Sequence, residues 1–206
     1  MSVQRVKKNQ LKIGITGNIA SGKSTAITYL KAKGYRVIDS DEIVKQLWTM
    51  PTVIDDLSTM FERNLHESSV KKMFIEDIFK QKDLRDRLEE YVHPKVYSEI
   101  ERQIETFSGI IFIDIPLLFE THYESRLDAV ILITVPRDIQ LNRLMKRGLT
   151  KEQALLRIEA QMRQEEKIKK TPYVISGTLG FDHFYEALEK EIERIVNEKH
   201  PNFYTD

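Results

Sequence analysis

The stretch Gly17-Asn18-Ile19-Ala20-Ser21-Gly22-Lys23-Ser24, followed by Thr25, constrains this chain more than any other. It fits G-x-x-x-x-G-K-[ST], a loop that holds nucleotide phosphates and that needs a strand before it and a helix after it. Both are written into the flanking residues. Leu11, Ile13 and Ile15 alternate with Lys12, Gly14 and Thr16, which predicts a short strand. Ala26, Ile27 and Leu30 recur at helical spacing up to Gly34. The glycines let main-chain N–H groups turn inward around an anion, and the helix opening at Gly22 adds its positive end. Lys23 then reaches the outer phosphates, and the Ser24 hydroxyl is a ligand for Mg²⁺.

Composition narrows the field. A chain of 206 residues that is 41% hydrophobic buries one good core, so one domain with appended subdomains is expected. Thirty-two basic residues balance 32 acidic ones, which argues against a nucleic-acid partner held by a general positive field. The longest apolar run, Ile110 to Phe119, is broken by Asp114 and Pro116 and falls short of the roughly 18 residues that span a bilayer, so no membrane partner is expected. Met1 to Gln10 are polar and basic, which reads as a loose extension rather than a signal peptide. The absence of cysteine excludes disulfides and thiolate metal sites, and a cytoplasmic location is the expectation.

After Gly34, Tyr35 to Ile38 reads as a second strand, ending in Asp39-Ser40-Asp41-Glu42. Carboxylates there stand where open α/β sheets place their ligands. Asp39 with Glu42 three residues on also resembles a capping box, so Asp39 has a structural reading that Asp41 lacks. The helix through Ile43, Val44 and Leu47 is expected to stop at Pro51. From 45 to 107 apolar residues recur at three and four (Met73, Phe74, Ile78; Leu84, Leu88, Tyr91, Val92; Val96, Ile100, Ile104), which predicts a helical insertion between the second and third strands. His93-Pro94 is expected to divide its last helix, with Pro94 at a first helical position. A capping or packing role is the ordinary reading of His93, and Trp48, beside Val44 and Leu47, reads as core.

Ile110 to Asp114 is a near-continuous apolar run, as in a parallel strand covered on both faces. Its terminal Asp114 either orders Mg²⁺ or caps the next turn. Ala129 to Val135 is a further buried strand, stopped by Pro136. Gln140, Arg143 and Arg147 then share one helical face, Gly148 ends that helix, and Thr150 with Gln153 forms a capping box. The next helix is expected to carry Arg157 and Gln161 on one face, opposite Leu155, Ile158 and Met162. Two arginine-bearing helices meeting at a short turn suit a lid that closes cations over phosphates, and a solvated charged hairpin has the same composition. Tyr173 to Ile175 reads as a fifth strand, and a last helix turns Phe181, Phe184, Leu188, Ile192 and Ile195 inward before a frayed tail, His200 to Asp206.

These parts describe a small-molecule phosphotransferase; no N-K-x-D element for guanine is present. Phosphoryl transfer asks mainly for alignment and charge neutralisation, with one base near the attacking hydroxyl, and Asp41 is the candidate base. The phosphate loop, Val37-Ile38-Asp39-Ser40-Asp41, His93-Pro94, Asp114-Ile115-Pro116-Leu117-Leu118-Phe119-Glu120, the Gln140, Arg143, Arg147 series and Arg157-Ile158 with Gln161 together resemble the dephospho-coenzyme A kinase family from about residue 11 to 175. The resemblance implies an α/β, three-layer phosphate-loop kinase fold with a parallel five-stranded sheet. Its core would be 1–44, 108–142 and 168–206, with a helical substrate-binding insertion at 45–107 and a helical lid at 143–167.

It further implies transfer of the γ-phosphate of ATP, with Mg²⁺, to the ribose 3′-hydroxyl of dephospho-coenzyme A. Asp41, Lys23, Arg143 and Arg147 would serve catalysis, and Gly17 to Thr25 with Arg147 would hold ATP. Ser24 and Asp114 would hold the metal; Asp41, Lys45, His93, Leu117, Arg157 and Gln161 would meet the substrate. Lys45 stands where the family usually has Arg, and Lys71 and Lys72 where an Arg often precedes the apolar helix. The turn Arg147 to Thr150 is one residue shorter than usual. The segment Thr171 to Gly180 replaces the family's A-D-x-V-I-x-N-x-G and lacks its Asn. A related kinase with another acceptor and a nucleotide-responsive binding protein without catalysis are the alternative readings.

Overall fold

A computed structural model of the chain describes residues 10–201 and 203. Of the expected loose extension only Gln10 falls among the described residues, where it opens the first strand, and of the expected frayed tail only 200, 201 and 203 do. In chain order the elements are β1 (Gln10–Gly17), α1 (Lys23–Ala32), β2 (Arg36–Asp39), α2 (Ser40–Leu47), α3 (Pro51–Met60), α4 (Ser68–Lys80), α5 (Lys82–Glu105), β3 (Gly109–Asp114), β4 (Ala129–Thr134), α6 (Arg137–Lys146), α7 (Lys151–Glu159), α8 (Gln164–Ile168), β5 (Tyr173–Ser176) and α9 (Phe181–Lys199). A short 3₁₀ turn, Tyr123–Arg126, lies between β3 and β4. The described chain divides into two compact units, one built from residues up to Ile38 and from Phe107 onward, the other Asp39–Thr106.

The first unit is organised on a five-stranded sheet in the order β2-β3-β1-β4-β5. β1 pairs in parallel with β3 on one side and β4 on the other, with Gly14 opposite both Ile113 and Val130, and β4 pairs in parallel with β5. The central strands are buried on both faces, which is why they read as continuous apolar runs. On one face Leu11, Ile13, Ile15, Phe112 and Ile131 join Ala26 and Leu30 of α1 and Phe184, Leu188 and Ile192 of α9 in a single cluster. α8 packs against β4, and α6 pairs with α7. β1 sits between β3 and β4, where the strand order reverses, and open α/β sheets bind ligands at the carboxyl ends of such strands.

One expected core residue of α9 is not in the core. Phe181 is 69% exposed, because the first turn of that helix borders the cavity described below rather than the sheet.

The second unit is helical throughout its regular elements, as the periodicity predicts. Asp39 caps α2, accepting from the N–H groups of Asp41 at 3.0 Å and Glu42 at 3.3 Å. Glu42 turns to Lys45 at 2.5 Å. Pro51 plays a different part from the expected stop. α2 already ends at Leu47, and Pro51 is the first residue of α3, where a missing N–H costs nothing.

His93-Pro94 does not divide the last helix either: α5 runs unbroken for 24 residues with Pro94 inside it. An interior proline costs about 3 kcal/mol. Val92, Val96, Ile100 and Ile104 keep one buried stripe across the proline, each gaining about 1.5–3 kcal/mol by burial, so packing wins. Pro94 itself lies on the exposed face of α5, and so does Glu90, the residue whose carbonyl lost its donor. Phe74 is fully buried against Phe61 and Trp48, with ring centroids 4.7 and 6.4 Å away, so Trp48 packs as expected. Met73, also expected on the apolar stripe, is 63% exposed, since Phe74 takes the inward position and its neighbour is turned about 100° around the helix.

Candidate functional site: a phosphate loop and its supports

The loop between β1 and α1 turns on backbone geometry that its residue types permit. Gly22, the residue before α1, has φ 113°, a conformation a side chain would strain. Ala20 holds φ 61°, an unusual value for a residue with a Cβ and one often found at functional sites. The Ser21 N–H donates to the Asn18 carbonyl at 3.0 Å, and the Thr25 N–H to the Gly22 carbonyl at 2.9 Å, closing the turn into the helix. The first N–H groups of α1 have no acceptor within the helix and form a positive terminus.

Supports reach the loop from distant segments. The Arg143 guanidinium, on α6, donates from Nη1 to the carbonyls of Ala20 at 2.9 Å and Ser21 at 3.2 Å, and from Nη2 to the Gly177 carbonyl at 2.7 Å. It therefore staples the phosphate loop to the segment after β5. Gly177 lies so close to the Ser21 carbonyl that a Cβ there would overlap it. Gln161 accepts from the Ile19 N–H at 2.7 Å, and the Asn18 amide donates to the Met162 carbonyl at 3.1 Å. Ala20, Leu144, Ala154 and Ile158 close an apolar cluster behind the loop.

Lys23 and Asp114 form an ion pair, their side chains 23% and 10% exposed. β1 and β3 make this meeting inevitable: Ile15 is registered against Asp114, so the end of β3 lies beside the start of the loop. The carboxylate that sequence reasoning left between metal and cap is thus on the lysine. Ser24, in the first turn of α1, is exposed. A hydroxyl and one carboxylate suit Mg²⁺, which keeps several waters and is shared with substrate phosphates rather than caged by protein. Among the described residues no three His, Cys, Asp or Glu side chains come together as such a cage.

Beyond β3, Leu117 is 40% exposed and held at φ 55°, its carbonyl accepting from the Thr121 N–H at 2.9 Å. Glu120, the end of the same element, pairs with Lys167 of α8 at 2.8 Å and accepts from the Met162 N–H at 3.0 Å. Lys167 is only 1% exposed, a support that sequence reasoning missed. Its neighbours Glu165, Glu166, Lys169 and Lys170 are equally charged, and nothing but burial sets it apart. Arg143's grip on carbonyls was equally invisible.

Arg147 lines a cavity of about 450 Å³ together with Ala20, Gly22, Lys146, Leu179 and Phe181. Thr150 and Gln153 form the expected capping box at the start of α7. The expectation that Arg157 and Gln161 share a helical face is not met. α7 ends at Glu159, leaving Arg157 exposed on the helix while Gln161 lies beyond it and is drawn to the Ile19 N–H. The structure thus gathers Lys23, Ser24, Asp114, Arg143 and Gln161 around one loop in the first unit.

Asp41, Lys45 and His93 belong to the second unit. Asp41 is exposed in the first turn of α2. Lys45 is bound by Glu42, whose hydrogen bond pushes the ammonium pKa up. The His93 ring stacks on Tyr97 with centroids 5.7 Å apart. Among the described residues no helix is long and apolar enough to cross a membrane.

Comparison with known proteins adds to this geometry. The model of the dephospho-CoA kinase family matches residues 11–180. A dephospho-CoA kinase of Listeria innocua is 35% identical over 196 residues, which cover 91% of this chain and 98% of that protein. A crystal structure from Thermus thermophilus superposes with a TM-score of 0.76 at 31% identity, covering 93% of this chain and 98% of that one. A dephospho-CoA kinase structure from Campylobacter jejuni gives 0.68 at 28% identity, over 94% and 99%. A match that runs from β1 past the end of β5 takes in the loop, the Lys23–Asp114 pair and the Arg143 staple together, and the chain belongs to the dephospho-CoA kinase family.

Proposed function

We propose that this chain transfers the γ-phosphoryl group of ATP to the ribose 3′-hydroxyl of dephospho-coenzyme A, giving coenzyme A and ADP in the last step of coenzyme A synthesis, in the cytoplasm. The observation that carries the reading is the Lys23–Asp114 pair at the adjoining ends of β1 and β3, inside the stretch matched to the family. A lysine and a carboxylate side by side at the mouth of such a loop support the reading, since phosphoryl transfer calls for a cation on the outer phosphates and a carboxylate for the metal.

The residues divide the work as follows. Main-chain N–H groups of the stretch Gly17 to Thr25, other than those of Ile19, Ser21 and Thr25 that bond within the protein, hold the phosphates, and Lys23 leaves Asp114 to reach the outermost ones. Ser24 and Asp114 would hold Mg²⁺, which would supply positive charge against the charge of the transferring phosphates. Arg143 keeps the loop in shape from behind, through the carbonyls of Ala20 and Ser21. Arg147, exposed beside the loop's cavity, brings a further cation to the transferring group, and the segment 143–167 serves as the lid.

Asp41 accepts the proton of the attacking hydroxyl, and Lys45, His93, Leu117, Arg157 and Gln161 position the acceptor, most of which the helical insertion 45–107 receives. Asp39, committed to capping α2, leaves Asp41 as the carboxylate of that pair for chemistry.

Asp41→Asn tests the assignment. The variant keeps its fold and its affinity for ATP, and turnover falls by about 10²–10⁴-fold. Near-normal turnover would remove Asp41 from the role of base. ADP release measured with dephospho-coenzyme A, nucleosides, shikimate and gluconate tests the acceptor; preference for any of the last three would overturn it.

A further inference from the structure

Two residues of the turn between α7 and α8 take hold of the phosphate loop where it leaves β1. Gln161 accepts from the Ile19 N–H at 2.7 Å, and the Met162 carbonyl accepts from the Asn18 amide at 3.1 Å. These are the two residues before Ala20, whose φ of 61° persists only where the surroundings over-determine it. Arg143 holds Ala20 through its carbonyl, and the turn holds the chain that leads into it. The turn's own bond back to α7, from the Gln161 N–H to the Ile158 carbonyl, is long at 3.3 Å, so another group has to fix residues 161 and 162.

That group is Glu120. One carboxylate oxygen accepts from the Met162 N–H at 3.0 Å and from the Lys167 ammonium at 2.8 Å. Leu118 and Phe119, both fully buried, root the carboxylate from its own side. Lys170 pairs with Glu124 at 3.1 Å and lies 5.7 Å over the Phe119 ring, so α8 is clasped to residues 119–124 at several points. The other oxygen of Glu120 is buried without a partner. A carboxylate in that state adds little net stability, because its desolvation is only partly offset. What it contributes is the placing of Met162.

We infer that Glu120 is a positioning residue for the phosphoryl donor: through Met162 it sets the 161–162 turn, and through Asn18 and Ile19 the turn sets the opening of the phosphate loop. The inference rests on the kinase reading above and deepens it by naming a second hold on the donor's cradle besides Arg143. Glu120 acts through the turn and takes no part in the transfer itself, and Lys167 supplies the counter-charge that lets the carboxylate stay buried.

Two neutral combinations separate the bond from the charge. Lys167→Met with Glu120→Gln removes both charges and keeps an oxygen for the Met162 N–H, whereas Lys167→Met with Glu120→Met removes that oxygen as well. Binding of the non-hydrolysable imido analogue of ATP, with Mg²⁺, is measured by calorimetry on the full chain. Affinity is expected to stay within about threefold of the parent in the first combination. In the second it should fall by about tenfold, the effect of one hydrogen bond to a partly buried N–H. The two should melt within a few degrees of each other by circular dichroism. Amide hydrogen exchange without nucleotide reads the relay directly. The Ile19 N–H is expected to exchange about tenfold faster in the second combination, with the amides of β4 unchanged, whereas general loosening would speed both.

Equal affinity in the two combinations overturns the inference, whether both match the parent or both fall. So does Ile19 exchange that merely keeps pace with β4. Glu120→Asp tests the same point with both charges kept, since it draws the oxygen back by one methylene. Weaker binding and faster Ile19 exchange are expected there too, and parental values for both would overturn the inference. Turnover of dephospho-coenzyme A with ATP by the parent chain keeps the two readings apart. Its absence sinks the kinase reading alone, because binding and exchange still decide the part played by Glu120.

Discussion

Replacing Arg143 by methionine separates two things an arginine beside a phosphate loop can do. The apolar stem is kept and the guanidinium is lost, with its contacts of 2.9 and 3.2 Å to the loop carbonyls and 2.7 Å to Gly177. Two of these share Nη1, so they count as about two charge-assisted hydrogen bonds, each with a net value of about 1.5–3 kcal/mol when fully buried. Arg143 is half-buried, and water will reach part of what it leaves, which brings the expected loss to about 2–3 kcal/mol. In a chain of this size that lowers the midpoint of thermal unfolding by about 4–12 °C.

The decisive measurement is made without nucleotide, by thermal and urea unfolding, and is followed by titration with the ATP analogue. A staple predicts that the ligand-free protein is destabilised and that affinity falls with it, because the cradle loses its shape. Arg143→Lys should sit between the two, since a single ammonium reaches one carbonyl well and lacks the fork. An unchanged ligand-free midpoint combined with a large loss of turnover would refute this reasoning and return Arg143 to direct contact with the transferring phosphate.

Further substitutions probe the supports. Lys167→Met removes the cation from the 2.8 Å pair with Glu120 and should cost about 3 kcal/mol by chemical unfolding, because a partly buried carboxylate loses its counter-charge and keeps the Met162 N–H. Adding Glu120→Gln should recover much of that, and a single variant as stable as the parent would show that the pair contributes nothing. Gly177→Ala places a Cβ against the Ser21 carbonyl and 3.0 Å from Val135, so the loop must shift. Affinity for the ATP analogue should fall about tenfold or more while the unfolding midpoint moves by only a few degrees. Unaltered affinity would mean that the two segments part without consequence.

What could be read from the sequence follows from what the physics leaves no choice about. Gly22 at φ 113° and the apolar runs of β3 and β4 are dictated locally, by backbone sterics and by burial on both faces, so residue type alone announces them. That the second unit is helical was equally plain in the spacing from Met73 to Ile104, although α3, which begins at Pro51, was not. Pro94 misleads because a local rule met a non-local gain: the stripe Val92, Val96, Ile100 and Ile104 continues across it, and only its burial decides the outcome. Phe181 has the right spacing for the core, yet it caps an aromatic column at a cavity, which spacing cannot distinguish.

Arg143 is the most instructive case. Its helical register with Gln140 and Arg147 suits solvent, phosphate or protein carbonyls equally. The requirement that settles it lies in the loop, whose tight turns take main-chain carbonyls out of strand and helix pairing. Ala20 and Ser21 are buried, so those carbonyls need donors. Residues 17–24 therefore announce that a donor must arrive from elsewhere in the chain, and only the packing of α6 against the loop says which arginine supplies it.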